Sequence, residues 1–175
     1  MNTKNTEKDL YWMGEAIKLA KMGMEEYDEL PIATILVAND KEIGRGVTAN
    51  VRENGIIAHG ELFVLLNAKR TLFTCEHPLV LYTTLEPCIM CLGASVECGV
   101  DKIVYGMPAL PDGGACYADR IRGIKENIPE IIGGVMENEE YVLMKEFVKS
   151  HDESSPAWYY VTHMLKDYEE HINEL

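Results

Sequence analysis

The chain has 175 residues, 47% of them apolar and 26% charged, which is the composition of one globular domain rather than of a disordered or fibrous protein. Acidic residues number 29 and basic residues 16, a net charge of −13 that argues against long-range attraction to nucleic acid or to an anionic membrane. No apolar run approaches the roughly 20 residues that span a bilayer, the N-terminus MNTKNTEKDL has no apolar signal core, and five cysteines, an odd count, point to a reduced, cytoplasmic protein.

Leu10, Met13, Ile17, Ala20 and Met24 recur at helical spacing and predict an amphipathic first helix, with Thr6 as candidate cap. The β-branched run IATILVAND, opened by Pro31, and EIGRGVT predict a hairpin turning at Asp40–Lys41. Residues 49–58 read as loop, and His59 to Leu72 as helix. PLVLYTT at 78–84 is a continuous apolar strand of the kind buried on both faces. Cys88 to Cys98 predicts a short helix and DKIVYGM at 101–107 another buried strand. Then come a loop at 111–115, a helix over 117–127, a strand over 129–136 and a helix over 138–149. After the polar stretch HDESSP, Ser155-Pro156 opens a last helix with an apolar stripe of Trp158, Val161, Leu165, Tyr168 and Ile172. This order predicts an α/β domain, a central mixed five-stranded sheet with helices on both faces, over residues 1–150. Residues 151–175 read as a helical extension packed on the same domain.

Two short motifs carry the chemistry. His59-Gly60-Glu61 opens one helix, and Pro87-Cys88-Ile89-Met90-Cys91 opens the next, with one strand between them. Each alone is weak: a lone histidine is more often a cap, and a lone C-x-x-C can be a redox pair. Together they supply Cys₂His, a ligand set for catalytic zinc that leaves the fourth position open. Cys88 and Cys91 sit three apart at a helix start, where the positive helix end favours thiolate. Glu61, two residues from His59, reaches the same site only if the helix points end-on at it, and there it can work as general acid and base. A closed structural zinc needs a fourth ligand, and Cys75, Cys98 and Cys116 show no second C-x-x-C spacing.

The H-x-E…P-C-x-x-C pattern resembles the zinc-dependent cytidine/deoxycytidylate deaminase superfamily, whose signature it is. The longer string Tyr82-Thr83-Thr84-Leu85-Glu86-Pro87-Cys88-Ile89-Met90-Cys91 resembles the branch holding tRNA adenosine deaminases, cytosine deaminases and guanine deaminases. The resemblance implies a three-layer α/β/α cytidine-deaminase-like fold. It also implies one Zn²⁺ per chain on His59, Cys88 and Cys91, with Glu61 as the catalytic proton shuttle. It further implies substrate contacts at Thr48, Asn50, Gly60, Glu86 and Trp158. Gly60 stands where most of the family has alanine. Thr48 stands where many members have a base-contacting asparagine, and Asn50 lies two further on. Ser155–Trp158 resembles the lid of free-base deaminases, but Val161 replaces the aspartate that holds the pyrimidine in the cytosine enzymes.

The resulting expectation is a hydrolytic deaminase that converts the exocyclic amine of a small free base, cytosine- or guanine-like, to a carbonyl with release of ammonia. The acidic tail DYEEHINEL and scattered basic residues speak against a polyanionic substrate. A tRNA adenosine deaminase and a non-catalytic deaminase-like zinc protein are the alternatives; the second typically lacks the shuttle glutamate, which is present here. The resemblance also implies a homodimer, with Leu92, Val96, Ile103 and Val104 as apolar candidates for its interface.

Overall fold

The computed structural model describes residues 6–50, 53, 55–68, 77–110, 112–120 and 128–174. Among them the elements run α1 (Glu7–Tyr27), β1 (Ala33–Ala38), β2 (Lys41–Val47), α2 (Gly60–Ala68), β3 (Leu79–Leu85) and α3 (Ile89–Glu97). Then follow β4 (Lys102–Met107), a 3₁₀ turn (Ala115–Arg120), β5 (Glu130–Ile132), α4 (Glu137–Ser150) and α5 (Pro156–Glu174). The strands form one mixed sheet in the order β2-β1-β3-β4-β5. β1 runs antiparallel to both β2 and β3, while β3, β4 and β5 are parallel.

Every residue of β1 and of β3 is buried, as the continuous apolar runs require of strands covered on both faces. Period-2 alternation divides them between two cores. Ile35, Val37, Val80, Tyr82 and Val104 join α1, α4 and α5 on one face. Leu36, Ala38, Leu79, Leu81 and Ile103 join Val64 and Leu65 of α2 and Leu92 of α3 on the other. The expected α/β architecture is the observed one.

The hairpin turns one residue earlier than expected. Asn39 and Asp40 both have positive φ, 45° and 62°, as a two-residue hairpin loop demands and as Asn and Asp tolerate. The fifth strand is shorter than the predicted 129–136, because the chain leaves the ladder after Ile132 and turns through Gly134 at φ 78°. A 3₁₀ turn covers the start of the expected 117–127 helix, and 121–127 and the predicted end of the second helix at 69–72 lie outside the described residues.

Thr6 caps α1 in a reciprocal capping box with Asp9. Asp9 does more than cap. Wholly buried, it accepts from Lys102 Nζ at 2.9 Å on both carboxylate oxygens and from the Tyr82 hydroxyl at 3.1 Å, which locks α1 to β3 and β4. Burial pushes its carboxyl up, but Lys102 and Thr6 outweigh this and hold it below the ordinary value.

α5 buries Val161, Met164, Leu165 and Tyr168 in the same core as α1 and α4. Tyr168 Oη donates to Glu137 at 2.5 Å and Tyr141 Oη to Glu169 at 2.5 Å, so α4 and α5 are joined along their length. Leu92, Ile103 and Val104 are wholly buried in this chain's own core, and Val96 alone of the four dimer candidates is partly exposed.

Candidate active site

The parallel strands β3 and β4 deliver their C-terminal ends to one edge of the sheet, where the two motifs meet. β3 ends at Leu85, and Glu86 and Pro87 lead into Cys88, the N-cap of α3. The second motif reaches that edge from the loop after β2. Ala49 N–H donates to Ala58 O at 2.9 Å, which pins the return of the loop just before His59.

His59, Cys88 and Cys91 come together with their three donor atoms all within 4.8 Å of one another. His59 Nδ1 lies 3.7 Å from Cys88 Sγ and 3.4 Å from Cys91 Sγ. A tetrahedral zinc with bonds of about 2.3 Å to sulfur and about 2.0 Å to nitrogen needs roughly 3.6 Å between such atoms, so the residues fit the ion. Nε2 of the same ring faces the Ile56 carbonyl at 3.1 Å. That contact suits N–H on Nε2 and leaves the Nδ1 lone pair for the metal.

The electrostatics of the cluster agree. The Cys91 thiol hydrogen bond brings the Cys88 pKa down to about 4, with His59 adding to the effect. The Cys88 sulfur pushes the Cys91 thiol up, and burial adds to this, because a second negative charge beside the first is opposed. Cys88 in turn raises the His59 pKa. A divalent cation bound here would hold both cysteines as thiolates.

Glu61 is 3% exposed in the first turn of α2. Burial raises its carboxyl above the ordinary value, and the nearby Cys88 charge works in the same direction. A poised proton carrier needs this direction of shift. Its Oε1 lies 3.5 Å from the Thr83 hydroxyl, which is itself 3.3 Å from the Thr34 hydroxyl across the β1–β3 ladder. Sequence reasoning did not single out these two threonines. Their signal was a polar residue inside a run otherwise buried and apolar.

The other expected site residues divide. Asn50 Oδ1 is buried with no hydrogen-bond partner among the described residues. Thr48 is buried, and its N–H donates to Ile32 O at 2.9 Å. Gly60 is a packing position: a Cβ there would stand 3.2 Å from Gly46 O, 3.3 Å from Thr34 Oγ1 and 3.4 Å from Thr48 N. The Glu86 carboxylate is occupied by the Ala109 and Ala115 amides. Trp158 donates its indole N–H to Val148 O at 3.0 Å, which secures the α4–α5 corner. Two residues on, Tyr160 faces Asp112 from the loop after β4, and burial first, then the Asp112 carboxylate, push its phenol up. Neither Tyr160 nor Asp112 was singled out from sequence.

The profile of the cytidine and deoxycytidylate deaminase zinc-binding region matches residues 6–107. The chain belongs to this deaminase family. The motif at the metal cluster is therefore the zinc-binding motif of a hydrolase that removes amino groups from C–N centres. Among relatives, the tRNA-specific adenosine deaminase of Bacillus subtilis is 39% identical over 139 residues, 77% of this chain and 84% of that one. That of Buchnera aphidicola (subsp. Schizaphis graminum) is 38% identical over 104 residues, 58% of this chain and 67% of that one. Among solved folds, a protein in complex with 2,6-diaminopurine superposes with a TM-score of 0.72 at 20% identity, covering 88% of each chain. A structure from a study of A-to-I editing by tRNA:A34 deaminases gives 0.60 at 25% identity, covering 76% of this chain and 99% of that one. The guanine deaminase of Nitrosomonas europaea gives 0.67 at 20% identity, covering 82% and 85%. No described helix is long and apolar enough to cross a membrane.

Proposed function

We propose that this deaminase acts on an aminopurine ring presented as a small molecule, a free base or nucleoside. Water replaces the exocyclic amine, the ring carbon becomes a carbonyl, and ammonia leaves. Zinc on His59, Cys88 and Cys91 supplies the Lewis acidity that makes water nucleophilic near neutral pH. Glu61 takes one proton from water and gives it to the ring nitrogen, then takes the second from the hydroxyl now on the ring carbon and gives it to the departing amine. Asn50 Oδ1 offers the base a buried acceptor.

The purine ring is supported from two sides, since the sequence relatives are named for adenosine and the fold neighbours for guanine and 2,6-diaminopurine. The observation that carries small-molecule presentation is the contact of α5 with the loop beside the zinc motif: Tyr160 faces Asp112, next to Gly113, which pairs with Cys88. The tRNA deaminase fold is matched over 99% of its own length by only 76% of this chain, so about a quarter of the chain has no counterpart there. The net charge of −13 agrees. A homodimer belongs to this reading. The α2–α3 layer leaves Leu66 71% and Ile89 48% exposed for it, with Val96 half-buried beside them in α3.

A second reading, adenosine within tRNA, is favoured by the sequence relatives themselves, at 39% and 38% identity. One experiment separates the two. Ammonia release is measured on adenine, guanine, 2,6-diaminopurine, their nucleosides and cytosine, beside inosine formation in transfer RNA. Turnover of a free aminopurine without inosine in tRNA is the expected result. Inosine in tRNA with no ammonia from any small substrate would establish the second reading instead.

A further inference from the structure

Glu86 connects β3 to the Cys88 helix and is buried, and its carboxylate is held by the loop after β4. Oε2 accepts from Ala109 N–H at 3.2 Å and Oε1 from Ala115 N–H at 3.0 Å. The same loop folds back on the zinc motif. Gly114 N–H donates to Pro87 O at 2.8 Å, and Gly113 pairs with Cys88 as an isolated antiparallel bridge. Both glycines are required by this closeness. A Cβ at Gly113 would stand 2.3 Å from the Glu86 carboxylate, and one at Gly114 would stand 2.8 Å from Ile89 N. Asp112, next to Gly113, is exposed and faces Tyr160 of α5.

We propose that Glu86 is a positioning residue: by gripping the amides of Ala109 and Ala115 it seats the loop on Cys88 and sets Asp112 opposite Tyr160 as the far wall of the substrate pocket. A carboxylate accepts hydrogen bonds and, ionised, donates none. The wall therefore selects heterocycles that present N–H groups, ring or exocyclic, on the edge away from the reacting amine. This selection rests on the small-molecule reading given above; the clamp itself does not.

Three variants test it in the zinc-loaded protein. Glu86→Gln keeps the shape but offers one acceptor where two are needed. It should retain zinc and raise KM for the accepted base about tenfold, the worth of one charge-assisted hydrogen bond, with a smaller change in kcat. Its preference for bases with a distal N–H should narrow by a similar factor. Glu86→Ala should speed amide exchange across 109–115 while exchange in β3 stays unchanged. Gly113→Ala should disturb that exchange on its own, yet add little in the Glu86→Ala background, where the space its methyl needs is free. Full additivity of the two substitutions overturns the clamp, as does unchanged loop exchange in Glu86→Ala. Equal loss of zinc, fold and kcat in Glu86→Gln also overturns it, by reducing Glu86 to a structural group. If the wild type edits tRNA and no free base, the selection fails, while the exchange and coupling results still judge the clamp.

Discussion

Glu140, in the first turn of α4, is 0% exposed, and neither carboxylate oxygen has a hydrogen-bond partner at ordinary distance among the described residues. Burial pushes its pKa from the ordinary 4.5 up to about 8, the Thr84 hydroxyl opposing this only in part. The folded protein therefore holds Glu140 as a neutral acid at neutral pH. Because the folded value is raised, the contribution of the neutral acid is full below about 4.5, declines as pH rises, and is gone above about 8. Each pH unit in that window removes about 1.4 kcal/mol, so the whole span amounts to about 5 kcal/mol, a large part of the stability of an ordinary domain. Glu140→Gln replaces the acid by a neutral amide of the same shape and abolishes the titration. Urea unfolding of both zinc-loaded proteins at pH 5, 6, 7 and 8.5 measures it. The wild type should lose stability relative to the variant steadily across the series, and Glu140→Gln should be the more stable of the two by several kcal/mol at pH 8.5. Parallel curves for the two proteins would refute the reasoning, since they would mean that the carboxyl titrates alike in the folded and unfolded chains.

Cys88→Ser or Cys91→Ser should reduce bound zinc from about one per chain to a small fraction, and a chelator should lower the Tm of the wild type; metal analysis and thermal scans decide both. Glu61→Gln should keep zinc and fold while kcat falls by several orders of magnitude, read as ammonia release on whichever substrate the wild type accepts. Asp9→Asn, which leaves Lys102 half-paired in a buried position, should cost about 3 kcal/mol at pH 7. Because the folded pKa of Asp9 is depressed, that difference should be present above the ordinary carboxylate range and shrink as pH falls through the folded value. Equal acid sensitivity of wild type and Asp9→Asn would count against it.

The sheet and its helices were legible because their signals are local. The apolar runs of β1 and β3 state their own burial, and so do the middles of the α1 and α5 stripes, whose end members Leu10 and Ile172 are 46% and 44% exposed. The zinc ligands were legible because C-x-x-C and H-x-E bring chemistry and spacing together. The Glu86 clamp and the Tyr160–Asp112 pair were not, because each depends on which loop folds back over which helix, and no periodicity records that. Trp158 was singled out through the resemblance of Ser155–Trp158 to the lid of free-base deaminases, and its indole N–H is given to the Val148 carbonyl. α5 also fills the main core with Val161, Met164 and Leu165, so removing it would unmake the domain rather than simply uncover a site.

Gly60 has a last consequence. A Cβ there would meet its neighbours at 3.2 to 3.4 Å, two of them backbone atoms of the β2 strand and the loop that follows it, so the slot between the start of α2 and the sheet is a few tenths of an ångström too narrow for a methyl group. His59 and Glu61 flank that slot, so its width sets how far ligand and shuttle stand from the thiolates. Reverting this position to the family's usual alanine, a routine move in consensus stabilisation, would wedge the helix outward by a few tenths of an ångström. The chain would gain helix propensity and lose registration between its proton carrier and its metal, trading durability against turnover at a single methyl group.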